Sequence, residues 1–130
     1  TRTANGPPAV FGLARAALNA LIAAANQRRS ESATGLAGQW QERLVQLRSR
    51  AYELVDDVPA GEAIEERVAI RAQVTKLVQD VTSALVTVQA GRAMLLSSPE
   101  QRWAREALFA LVQAQTQVTR DALVREFSTG

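Results

Sequence analysis

The chain has 130 residues, 47% of them hydrophobic, and its fifteen cationic and thirteen acidic side chains give a formal net charge of +2. Cysteine and histidine are both absent, which excludes disulfides, thiolate catalysis, zinc fingers and acid–base chemistry by imidazole, and removes the usual nitrogen and sulfur ligands of transition metals. Charges of both signs are interspersed rather than gathered into a basic stripe, so we predict no nucleic-acid partner.

The first predicted helix begins at the two prolines of GPPAVFG, where the missing amide proton of proline costs a helix nothing. Its apolar stripe, at steps of four and three, is Val10, Ala14, Ala17, Leu21 and Ala24. Further apolar residues widen this stripe over nearly the whole helix, as is typical of a bundle centre or an oligomer interface. The pattern ends at 26–29, where Arg28 and Arg29 complement the negative end of the helix dipole.

A loop and a second helix are predicted next. The Ser, Thr and Gly content of SESATGLAG indicates a loop over residues 30–38. The second helix, QWQERLVQLRSRAYELVDD, spans residues 39–57 and ends where Pro59-Ala60-Gly61 breaks it. Its heptad stripe is Trp40, Leu44, Leu47, Ala51, Leu54 and Val58.

Two longer helices complete the prediction. The third covers about residues 62–90, with Gly91 as its C-terminal stop; its stripe is Ile70, Val74, Leu77, Val81, Leu85 and Val88. The fourth begins with a capping box in which Ser98 is the N-cap, Pro99 the first helical residue and Gln101 the third. It runs to about Phe127, with a stripe of Trp103, Ala107, Leu111, Ala114, Val118 and Ala122.

These elements predict an all-α, up-down-up-down four-helix bundle, with residues 1–130 forming a single domain. The chain has few aromatic residues and no strand pattern, and both observations favour helices over a sheet. No run of about 18 consecutive apolar residues occurs, so we predict no membrane span. The opening TRTANGPP lacks the cationic-then-apolar order of a signal peptide. A cytoplasmic protein is therefore expected.

No group of residues in the sequence forms a recognisable active site. The adjacent carboxylates of Asp56-Asp57 and of Glu65-Glu66 point about 100° apart on a helix and cannot share a proton. Both pairs lie near predicted helix ends, where a structural role suits them better. We therefore predict no catalytic residue and no metal site.

Two arginines at the start of the fourth helix are the remaining candidates. Arg102 and Arg105 place cations on the first turns, against the preference of the helix dipole. Arg102 can pair with Glu106 one turn later. The alternative is a partner in another helix or a ligand phosphate, and the residues alone leave both open.

A motif along Val88 to Thr116 bears on this choice. It comprises a V-Q pair at Val88-Gln89, then Gly91, then a P-x-x-R loop end at Pro99 and Arg102, then Arg105-Glu106-Ala107. This order resembles the final helical domain of the acyl-CoA dehydrogenase superfamily, with Glu106 in place of an aspartate. The pattern G-R-A-x-x-x-S-S-P-x-Q-R is closer to a branch of this superfamily that contains flavin-dependent monooxygenases. The earlier stretch LAGQWQERL is similar to the segment that opens the second bundle helix in the same superfamily.

The resemblance implies the C-terminal domain of a larger flavoprotein that oxidises acyl-CoA or a related small molecule. FAD would lie at a subunit boundary, and the domain would associate as a dimer or tetramer, or with a homologous partner subunit. Gln89 would lie near the dinucleotide of a neighbouring subunit, Arg28 or Arg29 near its pyrophosphate, and Thr116 where the family's E-G-T threonine contacts the cofactor.

The departures from the family concern catalysis. The position of the dehydrogenases' proton-abstracting glutamate falls on Ala114, and a methyl group cannot take a proton. The histidines of the monooxygenase-like branch map near Leu108 and Gln113. The domain thus brings no catalytic base of its own. The alternative interpretation is a free-standing helical-bundle adaptor or oligomerisation module without enzymatic activity, which the apolar first helix favours. A ligand-binding sensory bundle is a third, without a pocket motif.

Overall fold

The computed structural model describes residues 5, 7–89, 98–113 and 115–128. They form five helices, α1 (Pro8–Gln27), α2 (Glu31–Asp56), α3 (Ile64–Gln89), α4 (Pro99–Ala110) and α5 (Gln117–Ser128). The all-α prediction is confirmed, since these ranges contain no strand. The described residues form five helices rather than four, so the predicted four-helix bundle is not confirmed.

Helix α3 is the centre of the fold and contacts each of the other four helices. Arg50 near the end of α2 bonds Glu66 near the start of α3, while Arg43 in the middle of α2 bonds Gln73 further along α3. These pairs show that α2 and α3 run antiparallel. Because α1 and α2 form a hairpin joined by a short turn, α1 and α3 run in the same direction.

Helices α4 and α5 each pack on α3. Gln89 at the end of α3 contacts Glu100 at the start of α4, and Gln79 donates a hydrogen bond to the carbonyl of Ala107. Helix α4 therefore runs back along α3. Helix α5 then packs on the first half of α3 through a small cluster of buried residues, namely Val68, Ala72, Ala122 and Leu123.

The main core is aliphatic and is built from α1, α2 and α3, with alanines from α4. Its largest fully buried side chains are Leu21, Leu54, Leu85, Val74, Val78 and Val81. All five residues of the predicted α1 stripe are buried, and so are the first five of the α3 stripe. The apolar periodicity thus identified both core faces, because a helix returns to the same face every three to four residues.

Helix α1 has the length and composition of a candidate membrane span, with a mean hydropathy of 1.5, although it contains no unbroken apolar run of about 18 residues. Only 44% of that apolar window is buried within the domain. The exposed face of α1 carries Gly12, Arg15 and Asn19 among its residues. The helix is therefore not apolar all round, and packing against α3 accounts for its buried face.

The predicted loop at residues 30–38 is wrong, because α2 already begins at Glu31. Ser30 is its N-cap, and the Oγ atom accepts a hydrogen bond from the amide of Ala33 at 3.2 Å. Ala37, near the end of the predicted loop, is buried in the core. The segment is helical despite its Ser, Thr and Gly content, because the Ser30 cap stabilises the first turn and Ala37 packs in the core.

The early start of α2 leads to a stability prediction. Gly35 and Gly38 lie inside the helix, and a Cβ atom at either position would meet no neighbouring atom within 4 Å. Glycine in a helix interior costs about 1 kcal/mol relative to alanine. We expect Gly35→Ala with Gly38→Ala to raise the free energy of unfolding by about 1–2 kcal/mol, measured by urea unfolding. A loss of stability would indicate a loop conformation that needs glycine.

The predicted long fourth helix is wrong in its second half. Its start is confirmed, since the Ser98 Oγ atom accepts from the amide of Gln101 at 3.3 Å and Pro99 is the first helical residue. The helix ends at Ala110, and a turn leads to α5. Val118, predicted on the buried stripe, is consequently exposed. The predicted stop at Gly91 and the stripe residue Ala114 lie outside the described residues.

The reason for the break lies in the residues that start α5. Thr116 precedes the helix, and its Oγ1 atom accepts from the amide of Thr119 at 3.2 Å. The Thr119 Oγ1 atom in turn accepts from the amide of Thr116 at 2.8 Å. This reciprocal cap favours a new helix start. The β-branched Thr116, Val118 and Thr119 also lower the propensity for one continuous helix.

Candidate functional site

The resemblance-derived site residues Arg28 and Arg29 form the turn between α1 and α2, and both are exposed. Arg29 has a φ of 53°, the left-handed conformation usually occupied by glycine at this place. The Arg29 amide bonds the carbonyl of Asn26, and the Ser30 amide bonds that of Ala25. This Schellman arrangement fixes the backbone, while the two guanidinium groups make no ion pair within the described part of the chain.

Gln89 lies at the same end of the domain, since α1 and α3 run in the same direction. Its side chain is buried and donates through Nε2 to Oε1 of Glu100 at 3.3 Å. Glu100 is itself buried, and its Oε2 atom accepts no hydrogen bond from the residues that the structure describes. The amide of Gln89 thus serves the contact between α3 and α4.

Thr116 lies in the connection between α4 and α5, near the opposite end of the domain. The adjoining turn is held by Arg71 in the first half of α3, whose Nη2 atom donates to the carbonyl of Gln113 at 3.0 Å. Thr116 is exposed, although its hydroxyl takes part in the cap of α5. The fold therefore places Arg28, Arg29 and Gln89 at one end and Thr116 at the other.

The two arginines at the start of α4 are satisfied within their own helix. Arg102 Nε lies 3.9 Å from Glu106 Oε1, which confirms the pairing of residues one turn apart. Arg105 Nη1 bonds Oε1 of Gln101 at 3.3 Å. Both arginines are exposed, and among the described residues neither contacts another helix through these groups. The pairing within the helix is therefore the observed one.

Arg67 and Arg71 are the most buried cationic residues that the structure describes, and the sequence did not identify them as candidates. Arg67 is 2% exposed and bonds the carbonyls of Val58, Pro59 and Glu62 together with Oδ1 of Asn5. Burial lowers the pKa of Arg71. Their positions in the sequence indicate partial burial, because they lie one helical turn apart on either side of Ile70, beside the apolar stripe of α3.

An exposed ion-pair network links α2 to α3. Arg50 donates through Nε and Nη2 to both carboxylate oxygens of Glu66 at 2.6 and 2.7 Å, and through Nη1 to Glu53. The hydrogen bonds from Arg50 lower the pKa of Glu66, and those to Glu66 and Glu53 raise the pKa of Arg50. The three side chains are 40–58% exposed, and the network has the geometry of a structural clamp rather than of a catalytic pair.

A groove of about 400 Å³ separates α1 from α2 on the side away from α3. Phe11, Leu18 and Leu44 form its buried apolar floor, and Arg15 and Arg48 stand on its walls. Within the part of the chain that the structure describes, no acidic residue lines this groove. The sequence prediction contained no such groove, because it depends on the register between two helices.

No protein-family model, curated protein or solved structure matches this chain.

Within the described ranges, no three His, Cys, Asp or Glu side chains come close enough together to hold a metal ion. Glu53 and Glu66 both pair with Arg50, and Asp80 pairs with Lys76. The features that remain for function are surfaces: exposed apolar residues, exposed arginines at the α1–α2 turn, and the groove between α1 and α2. Such features bind partners or ligands rather than transfer protons.

Proposed function

We propose that the chain is the C-terminal helical domain of an acyl-CoA dehydrogenase-like flavoprotein. In this role it contributes subunit association and part of the FAD site, and it supplies no catalytic base. The residue order from Val88 to Thr116 is the basis for the flavoprotein assignment. The lack of a base is inferred from Ala114, which stands where the dehydrogenases have their proton-abstracting glutamate.

The observation that carries the association role is a stripe of exposed apolar side chains on α4 and the turn after it. Leu108, Phe109 and Val112 are 61%, 60% and 70% exposed. Val112 follows Leu108 by four residues and Phe109 by three, a spacing that brings side chains near one another on a helical surface. None of the three belongs to the buried core, and contiguous exposed apolar surface is typical of a protein-binding site.

The arginines of the α1–α2 turn support the cofactor role. Arg28 and Arg29 project from a rigid turn, and no described carboxylate neutralises them. Guanidinium groups bind phosphate oxygens through paired hydrogen bonds. In the proposed assembly these two residues would face the pyrophosphate of FAD held by a neighbouring subunit, and Thr116, at the opposite end, would serve a different FAD molecule.

The second candidate function is a helical adaptor or oligomerisation module without a cofactor. The burial of Gln89 favours it, because an amide engaged with Glu100 inside the domain is not free to contact a dinucleotide. Both candidates use the apolar stripe on α4. They differ in whether association creates a flavin site.

One experiment separates the two candidates. The protein encoded by the complete reading frame that contains this chain would be purified, with and without Phe109→Ser plus Val112→Ser. If FAD is held at a subunit boundary, we expect the substitutions to dissociate the assembly and to lower flavin content about tenfold or more. Sedimentation velocity reports association, and visible absorbance reports flavin. Val55→Ser, at a solvent-exposed site on α2, is the matched control.

The outcomes are distinct. An assembly that never contains flavin, yet dissociates with the α4 substitutions, contradicts the flavoprotein assignment and supports the adaptor. Unchanged sedimentation with both substitutions contradicts the association role itself. The 130-residue chain alone is expected to bind no stoichiometric flavin.

A further inference from the structure

The α1–α2 groove has the length of a short helix. Its lining runs from Pro8 and Tyr52 at one end to Asn19 and Gln41 at the other. This stretch of α1 rises about 17 Å, at about 1.5 Å per residue, and corresponds to about three helical turns. Gly12 lies in the middle of the α1 wall, and a Cβ atom there would meet no neighbouring atom. The wall is therefore low enough for another backbone to approach.

The groove is apolar at its base and along one rim. Phe11, Leu18 and Leu44 are buried beneath it. On the α2 rim, Val45 and Tyr52 are 60% and 50% exposed and lie two helical turns apart. An apolar occupant with side chains at similar spacing would cover both rim residues and contact the base between them.

The walls of the groove carry positive charge. Arg15 stands on α1 and Arg48 on α2, and the described residues that line the groove include no Asp or Glu. Arg48 is held in place by Tyr52: its Nε atom bonds the phenol oxygen at 3.3 Å, and its guanidinium carbon lies 5.2 Å from the ring centroid. A fixed cation loses less side-chain entropy on binding than a mobile one.

These properties select among occupants. Small-molecule sites usually enclose most of their ligand, whereas this groove is open along its length, with Gly12, Arg15, Val45 and Arg48 all exposed. A second copy docked groove to groove about a two-fold axis would bring like charges together, because each groove presents the same two arginines. An amphipathic helix with acidic residues beside its apolar stripe fits both the shape and the charge.

We infer that the groove between α1 and α2 binds an acidic amphipathic helix of a partner protein. Apolar side chains at positions i, i+3 or i+4, and i+7 of that helix cover the groove base. Flanking carboxylates pair with Arg15 and Arg48. This interaction surface is separate from the stripe on α4 and does not depend on the flavoprotein assignment.

The probe is a fluorescein-labelled synthetic peptide of about fifteen residues, with Leu at the spacing above and Glu on both flanks. Its binding to the 130-residue chain is followed by fluorescence anisotropy. We expect binding that weakens as salt is added. The same peptide with Lys in place of Glu is expected to bind at least about tenfold more weakly, because its charges repel the two arginines.

Two variants of the chain test the location. Gly12→Trp fills the groove, and Arg15→Glu with Arg48→Glu reverses its charge; each is expected to weaken binding of the acidic peptide about tenfold or more. Arg105→Glu with Arg120→Glu makes the same change in net charge outside the groove and is expected to leave affinity within about twofold. Far-UV circular dichroism on heating shows that each variant is folded.

Three results of the binding experiments would overturn the inference. They are no binding of the acidic peptide to the native chain, equal affinity for the acidic and basic peptides, and unchanged affinity in a folded Gly12→Trp variant. A native dimer that Gly12→Trp converts to monomer would also overturn it, because the occupant would then be a second copy.

Discussion

Replacing Leu85 by alanine is expected to lower the free energy of unfolding by about 3–5 kcal/mol. Leu85 has no exposed surface and lies on α3, the helix that contacts all the others. Truncation therefore leaves a cavity that the surrounding helices can close only in part. Urea unfolding followed by circular dichroism measures the loss, which is a large share of the total stability of a domain of this size.

The matched control is Leu108→Ala on α4. The chemical change is the same and both residues are helical, but Leu108 is 61% exposed. We expect a change within about 0.5 kcal/mol. If Leu85→Ala cost no more than this control, the central position of α3 in the core would be contradicted.

Replacing Arg67 by alanine is expected to lower the free energy of unfolding by about 3–5 kcal/mol, although among the described residues no carboxylate bonds to it. Its guanidinium group bonds three backbone carbonyls of the α2–α3 connection and Oδ1 of Asn5. Removal empties a site at which Arg67 is 2% exposed and takes the guanidinium donor from four part-buried acceptors. An acceptor that is left buried without a donor costs about 1–3 kcal/mol. Urea unfolding measures the total cost.

Two further variants establish the cause. Arg67→Lys retains the charge but cannot reproduce the planar fork of donors, so we expect it to recover only part of the lost stability. Arg120→Ala removes an exposed arginine and is expected to change stability by less than about 0.5 kcal/mol. Full rescue by Arg67→Lys would mean that charge, rather than the geometry of the hydrogen bonds, holds the α2–α3 connection.

The parts of the fold that could be predicted are those governed by apolar periodicity. The stripes of α1 and α3 were correct because these helices are long and one face of each is buried almost throughout. Composition was a poorer guide at residues 30–38, where Ser30 caps a helix and Ala37 reaches the core. Periodicity failed between Ala110 and Gln117 because the apolar spacing continued across a turn, and spacing alone does not report chain direction.

The site was predictable only where local chemistry decides it. The Ser98 cap and the Arg102–Glu106 pair depend on residues within one or two turns, and both are observed. The buried position of Arg67 depends on carbonyls of the α2–α3 connection, and arginine is ordinarily expected at the surface. The cofactor roles of Arg28, Arg29, Gln89 and Thr116 stay predictions.

The separate packing of α5 has a consequence for how the molecule opens. Val68, Ala72, Ala122 and Leu123 form a cluster that shares no buried member with the main core. We therefore expect α5 to detach from α3 more readily than the remaining helices lose their shared core. The C-terminal segment is then expected to behave as a foldon, with a lower opening free energy than the whole domain.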